Sequence, residues 1–331
     1  MSFPCNIYFA GFIGGAVFSW LLLPVFRPLC QRWGWVDAPG HRKIHDSPIP
    51  LAGGFSVLAG MLVPLVLAYF LIQSGVLHLS NTQHYLQHGI DRRENELLAI
   101  VIGALVVVIT GAVDDRFELK PLFKFSGQLL AALIVANSNV RITLFVHNTA
   151  FSYAITLLWF LTVINAMNFM DNMNGLCAGI GAIGSLSFGL IAASKGQYLV
   201  AALALLGSGS LAGFLPHNFP KATAFLGDTG SHLTGYLLAV MAVLPHFSTA
   251  KHPNHWAVLL PLLVLFVPLA DLAYVVILRW RLGTPFYVGD TNHLSHRLVR
   301  NGFSKTNAVL LIWMMSMAFG GLALGLSLLF G

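Results

Sequence analysis

Long apolar runs separated by short polar loops make up most of this chain. One of them, Leu97 to Val113, holds 17 residues without a charge and stops on two adjacent acids, Asp114 and Asp115. A run of that length is about what an α-helix needs to cross a hydrocarbon layer of roughly 30 Å, and comparable runs recur along the whole chain. Their placement predicts ten membrane helices, at about 6–28, 51–73, 96–113, 122–139, 151–168, 175–194, 197–215, 230–246, 256–278 and 306–330. The run at 122–139 is the least regular, because Lys124 falls in its first turn and Asn137, Ser138 and Asn139 end it. The stretch 74–95 is rich in His, Gln and Asn and reads as a solvated connector.

Composition sharpens this to one class. The residues are 56% hydrophobic and 9% charged, whereas a soluble domain carries about a quarter of its residues as charges; the mean hydropathy is +0.76. The expected fold is therefore all-α, a polytopic membrane helix bundle forming a single integral membrane domain over residues 1–331. Cys5, Cys30 and Cys177 lack the paired spacing of a disulfide framework or zinc site and read as packing residues. No basic segment precedes the first apolar run, so it reads as a retained helix and not a cleaved signal.

Charge gives the bundle a direction. Loops 27–50, 114–124, 169–174, 216–229 and 279–305 together hold 13 of the 18 Lys and Arg, which marks them as cytoplasmic and both termini as periplasmic, in a multi-pass protein of the inner (plasma) membrane. Nine of the twelve Asp and Glu lie on that same side: Asp37, Asp46, Asp114, Asp115, Glu118, Asp171, Asp228, Asp271 and Asp290. The positive-inside rule says nothing about acids. Taken singly, each reads as a helix cap or a solvated loop charge, and Asp171 and Asp228 both precede predicted helices, where Asp is a preferred N-cap. Taken together, acids from several loops at similar depth repel one another unless a cation sits among them. Oxygen ligands of this kind suit Mg2+, which binds one or two carboxylates together with substrate phosphates. The segment "AFLGDTGS" (224–231) adds two glycines around an acid at a predicted helix start, where free backbone N–H groups bind phosphate oxygens; an ordinary Asp cap with glycine turns is the alternative.

The last cytoplasmic loop contains His293, His296 and Arg297, which share a face if the segment is helical and form a grip suited to phosphate. A zinc site needs a third or fourth ligand, and no Cys or further His is near. A basic stripe against anionic lipid headgroups is the other reading of the same residues.

Five motifs in order resemble the polyprenyl-phosphate N-acetylhexosamine-1-phosphate transferases, relatives of the phospho-MurNAc-pentapeptide and dolichol-phosphate GlcNAc-1-phosphate transferases. They are "RKIHDSPIPLAGG" (42–54), "DDRFELKPLFKFSGQ" (114–128), "NAMNFMDNMNGL" (165–176), "HNFPKATAFLGDTGS" (217–231) and "DTNHLSHRL" (290–298). The resemblance implies ten or eleven helices with the active site on cytoplasmic loops. It also implies transfer of a sugar-1-phosphate from a UDP-sugar to undecaprenyl phosphate with release of UMP, starting a lipid-linked cell-surface glycan. On the residues that match, it implies that Asp228 and Asn168 hold Mg2+, or Mn2+ in its place, and that Asp114 and Asp115 surround the lipid phosphate. Lys43, Lys124, Asn218 and Phe225 fall where the family contacts nucleotide or phosphate, Asp171 lies in the nucleotide-site motif, and His293, His296 and Arg297 lie in the histidine-rich loop.

Such chemistry brings two anions together, so a cation and basic side chains must neutralise charge as it moves toward the leaving nucleotide. Two departures from the family pattern stand out. Asn174 replaces an acid common three residues after Asp171, and Ser295 interrupts the histidines, which argues against the phospho-MurNAc-pentapeptide reaction. A secondary transporter is the alternative from another class, with Asp271, eight residues before Arg279, as its one candidate proton site. Transporters carry such groups near the bilayer midplane and show repeated halves, and no repeat is evident here. No nucleic acid partner is expected; a homodimer is an option that the sequence leaves open.

Overall fold

A computed structural model describes residues 2–38, 47–76, 84–144, 146, 148–245, 255–285 and 290–329. Lys43 and Asp46 lie outside the described residues. The chain is an all-helical bundle with one two-stranded ribbon. In order come α1 (Cys5–Trp33), β1 (Val36–Asp37), β2 (Ile49–Pro50), α2 (Gly53–Gln73), α3 (His84–Arg92), α4 (Glu94–Phe117) and α5 (Pro121–Asn137). There follow α6 (Thr149–Met170), α7 (Leu176–Ser194), α8 (Tyr198–Asn218), α9 (Gly227–Met241), a 3-10 turn (His255–Leu259), α10 (Leu260–Val264), α11 (Phe266–Arg281), α12 (Leu294–Arg300) and α13 (Lys305–Leu329).

Every predicted membrane segment contains a helix, but their lengths differ from a plain ten-crossing bundle. Among the described residues seven helices, α1, α2, α4, α6, α7, α8 and α13, are long and apolar enough to cross a bilayer. The segment expected at 256–278 is broken at Leu265 into two parts that meet at 76°, which counts as an eighth crossing if it is one span. Helices α5 and α9, with 17 and 15 residues, fall short of the roughly 20 needed to cross alone. For α9 the reason is its position: every residue but Asp228 is buried, so it is enclosed by protein and has no lipid layer to match. The connector at 74–95 is only partly irregular, since 84–92 forms α3, a strongly amphipathic helix that the polar composition concealed.

Small residues set how closely the helices approach. Hydrophobic burial gives no preference for helix over lipid tail, so membrane helices associate through close packing. Gly209 and Gly213 on α8 lie directly against the backbone of α1 at Phe12 and Ala16, where any Cβ would overlap a carbonyl. On the other side of the bundle Gly111 of α4 meets the first turn of α9, and a Cβ there would lie 2.5 Å from the Thr229 nitrogen and 2.6 Å from the Asp228 carbonyl oxygen. This second approach brings the end of α4, with its two acids, against the start of α9. The ribbon β1–β2, paired Val36 to Pro50 and Asp37 to Ile49, closes the same end. Trp35 beside it donates from Nε1 to the Ala112 carbonyl of α4 at 2.7 Å.

Candidate active site

The acid-bearing loops converge at one end of the bundle on a cleft of about 950 Å³. Asp114, Asp115, Lys124, Asn168, Asp171, Asn218, Phe225 and Asp228, each singled out in the sequence, all line it. Asp37, Arg116, Glu118, Asn172 and Asn174 line it as well.

The two acids that end α4 do different work. Asp115 accepts hydrogen bonds from the Asp228 N–H at 2.7 Å, the Thr229 N–H at 3.0 Å and the Thr229 hydroxyl at 2.6 Å. Two amides of the first turn of α9, those of Asp228 and Thr229, are thus satisfied by a carboxylate from another helix. This corrects the expectation that those N–H groups are open to a substrate phosphate, and that Asp228 is an N-cap: the N-cap is Leu226 and the capping charge is Asp115. Gly227 permits the approach, since its φ of +72° suits a residue without Cβ and a side chain there would run into the Asp115 carboxylate. Asp115, which also lines the cleft, is therefore anchored to the start of α9.

Asp114 is buried, accepts the Leu119 N–H at 2.8 Å, and pairs with the Lys124 ammonium. Lys124 also reaches Asp228 Oδ2 at 3.1 Å. The irregular start of α5 is explained here: Lys124 sits in the first turn of α5 because its charge belongs between two carboxylates. Asn168, on the last turn of α6, donates from Nδ2 to Asp228 Oδ1 at 2.7 Å and to the Ser231 hydroxyl at 2.9 Å, which leaves its amide oxygen for another partner. Asp171 ends α6 as its C-cap, not as the N-cap of the next helix. Desolvation, then the negative charges of Asp228 and Asp115, push its carboxyl well above the usual carboxylate range.

Asn218 holds the floor of the cleft together. Its Oδ1 accepts the Gly175 N–H at 2.6 Å and its Nδ2 donates to the Ala224 carbonyl at 3.0 Å, so the α6–α7 and α8–α9 loops are joined through one buried side chain. Asn218 thus braces the cleft that it also lines, and the Phe225 backbone N–H beside it donates to the Pro50 carbonyl.

The histidine loop lies beside the cleft and does not line it. His293 is the N-cap of α12, just outside the helix, and its ring lies beside that of His296, with ring centroids 6.4 Å apart. The Arg297 guanidinium lies 4.2 Å above the Tyr274 ring. The loop is fastened to the cleft rim by the Ser295 hydroxyl, which donates to Asn172 Oδ1 at 2.6 Å, and by ring contact between His293 and Phe169 at 5.3 Å. Burial, then the neighbouring His293, Arg300 and Lys305, lower the proton affinity of His296. Arg279 donates to Asp290 at 2.8 Å; burial opposes ionisation of Asp290, but this bond and the Asn292 N–H outweigh it and hold the carboxyl below its ordinary value. Asp271 pairs with His293 near the same loop, which removes it as an isolated proton site.

Arg116 and Asn172 are cleft residues that sequence reasoning did not single out. Each lies inside a quoted motif, next to Asp115 and Asp171 respectively, and that adjacency was the available signal.

Among the described residues no three His, Cys, Asp or Glu converge as a ready-made metal centre. The donors fit Mg2+ by their chemistry nonetheless. A hard cation that takes one or two carboxylates and completes its shell with substrate phosphates and water needs no protein cage, and the Lys124 ammonium between Asp114 and Asp228 shows that positive charge is favoured there.

The bundle and this cleft define a polytopic membrane protein that gathers a cluster of acids, with Lys124 among them, at one end. The model for glycosyl transferase family 4 matches residues 97–246. The chain is 32% identical over 333 residues to the decaprenyl-phosphate N-acetylglucosaminephosphotransferase of Mycobacterium tuberculosis (strain H37Rv), covering 92% of this chain and 79% of the relative. It is 28% identical over 309 residues to the probable undecaprenyl-phosphate N-acetylglucosaminyl 1-phosphate transferase of Bacillus subtilis (strain 168), covering 90% and 79%. To the undecaprenyl-phosphate alpha-N-acetylglucosaminyl 1-phosphate transferase of Escherichia coli (strain K12) it is 26% identical over 315 residues, covering 89% and 77%. The chain belongs to glycosyl transferase family 4, a family of sugar-phosphate transferases.

Proposed function

We propose that the protein transfers N-acetylhexosamine-1-phosphate from a UDP-sugar to undecaprenyl phosphate at the cytoplasmic face of the inner membrane, releasing UMP. In this reaction an oxygen of the lipid phosphate attacks the β-phosphorus of the UDP-sugar. The bond from that phosphorus to the bridging oxygen breaks, and UMP leaves with the electron pair. The observation that carries the reading is the cluster of Asp114, Lys124, Asn168 and Asp228 in one cleft at a bundle end. The names of the relatives support both the acceptor class and the sugar.

Asp228, with the amide oxygen of Asn168, would hold Mg2+, and Asp114 stands beside them. The ion when bound would offset phosphate charge and stabilise the departing oxygen. The chain's own residues supply the remainder. Lys124 places a fixed positive charge at the carboxylates and is free to turn from Asp228 to a phosphate oxygen once another cation takes that acid. Asp115 keeps the first turn of α9 in place so that Asp228 stays aimed into the cleft. Asp114, buried against Lys124, is the acid of the pair left to receive a proton from a singly protonated lipid phosphate. Phe225 offers an aromatic edge for the uracil. Asp171, on the wall of the same cleft, lies in the nucleotide-site motif.

The test is release of UMP by purified protein supplied with undecaprenyl phosphate, Mg2+ and a panel of UDP-N-acetylhexosamines. UMP formation that EDTA abolishes and Mg2+ or Mn2+ restores is expected. Full activity in EDTA would remove the metal from the account.

A further inference from the structure

Asp271 has no part in the site described so far, yet it is one of the most constrained acids in the molecule. It lies on α11, beyond the break at Leu265, and is 4% exposed. Its Oδ2 is 2.7 Å from His293 Nδ1, and its Oδ1 accepts the Leu294 N–H at 2.6 Å. His293 is itself 5% exposed and stands at the N-cap of α12. One carboxylate thus grips both the ring and the first amide of the helix that follows it.

This geometry decides which ring nitrogen does what. A carboxylate facing Nδ1 is an acceptor, so Nδ1 carries a hydrogen and donates it. The Leu294 N–H occupies the other carboxylate oxygen, so the acid cannot rotate away without stranding a backbone donor. Nε2 is left as the ring's remaining polar atom, with no protein hydrogen-bond partner among the described residues. The ring it belongs to packs on Phe169, next to Asn168, while Ser295 ties the same turn to Asn172 in the cleft.

We propose that Asp271 is a positioning residue: it fixes the tautomer and orientation of His293 and so keeps Nε2 as the ring's unpaired acceptor, on a ring packed against Phe169 at the rim of the cleft, for the transfer reaction. The role rests on the transferase reading above. Asp271 touches no substrate, and acts only through His293 and the start of α12.

The substitution that isolates this is Asp271→Asn. Asparagine keeps the shape and both hydrogen bonds in number: its oxygen accepts from Leu294 and its amide then donates to Nδ1, which forces the hydrogen of the neutral ring onto Nε2. The first measurement is nitrogen-15 NMR of histidine-labelled full-length protein in detergent micelles, with the His293 signal identified by its loss in His293→Gln. A hydrogen-bonded Nδ1–H is expected in the wild type, and a switch to the Nε2–H form in Asp271→Asn. The second measurement is UMP release. Asp271→Asn should lower kcat at least tenfold while KM for the UDP-sugar changes less than threefold, and thermal stability in detergent should stay close to the wild type. Added to His293→Ala, the same change should lower activity no further, because both act through one ring.

An unchanged tautomer in Asp271→Asn, or an equal loss in the wild-type and His293→Ala backgrounds, would overturn the proposal. If the tautomer switches but the wild type releases no UMP from any UDP-sugar, the positioning geometry stands and the transferase reading fails. Asp271→Glu retains a carboxylate, so with Nδ1–H kept it should recover part of the kcat that asparagine loses.

Discussion

Asp115 and Asp228 show how two acids of one cluster separate by what surrounds them. Asp115 satisfies three donors at the start of α9, so Asp115→Ala strands two backbone amides and should cost about 1–3 kcal/mol for each donor left unpaired. A lowered midpoint of thermal unfolding in detergent, together with lost activity, is the expected result; Asp115→Asn, which keeps one acceptor, should fall between. Asp228 instead holds Asn168 and Lys124 side chains at the cleft. Asp228→Ala should abolish UMP release, by a factor on the order of 10²–10³ or more, while the protein remains folded. Comparing melting curves with rates separates the two roles. In the sequence Asp228 reads as a metal ligand and Asp115 as an acid around the lipid phosphate, and neither reading contains the bond between them. What the sequence could not contain is the Gly111 approach of α4 to α9, which sets Asp115 against the Asp228 amide 113 positions further along the chain and turns one acid into a cap for the other.

At the scale of elements, periodicity was a good guide wherever a helix meets lipid and a poor one where it does not. The apolar runs that became α1, α4, α6, α7, α8 and α13 are long because lipid demands length. Helix α9 is short because protein encloses it, the 256–278 segment bends at Leu265, and α3 hid in a polar stretch. The histidine loop was legible as a basic group but not as a structure, because the sequence does not say where α12 begins. It begins one residue after His293, which sends that ring to Asp271 while His296 and Arg297 stay on the helix.

The loop's pH behaviour follows from burial. The folded chain holds His296 less ready to bind a proton than the unfolded chain, whose ordinary value is about 6.5. The unfolded state therefore binds more protons below that pH, and the stability that neutral His296 contributes is full above about 6.5 and is lost as the pH falls toward the lowered folded value. Relative to the wild type, His296→Gln should flatten the fall in thermal midpoint between about pH 6.5 and 5, measured on both proteins in the same detergent. A wild-type slope that persists unchanged in the variant would assign it to another group.

Across the whole molecule, charge and chemistry point the same way. Two of the loops that line the cleft, 27–50 and 114–124, hold seven of the 18 Lys and Arg, so the positive-inside rule predicts a cytoplasmic cleft. A cysteine introduced as Asn301→Cys, on the exposed end of α12, should be labelled by a membrane-impermeant thiol reagent only from the cytoplasmic side, provided native Cys5 is first replaced by Ser. Labelling from the periplasmic side alone would invert the topology. The central claim concerns which bond breaks, and it is tested most directly with a UDP-N-acetylhexosamine carrying phosphorus-32 at the β-phosphate. On incubation with purified protein, undecaprenyl phosphate and Mg2+, the label should move into the lipid fraction as a sugar diphosphate while unlabelled UMP is released. Label that remains in the water-soluble nucleotide as UDP, with sugar but no β-phosphate on the lipid, would contradict it.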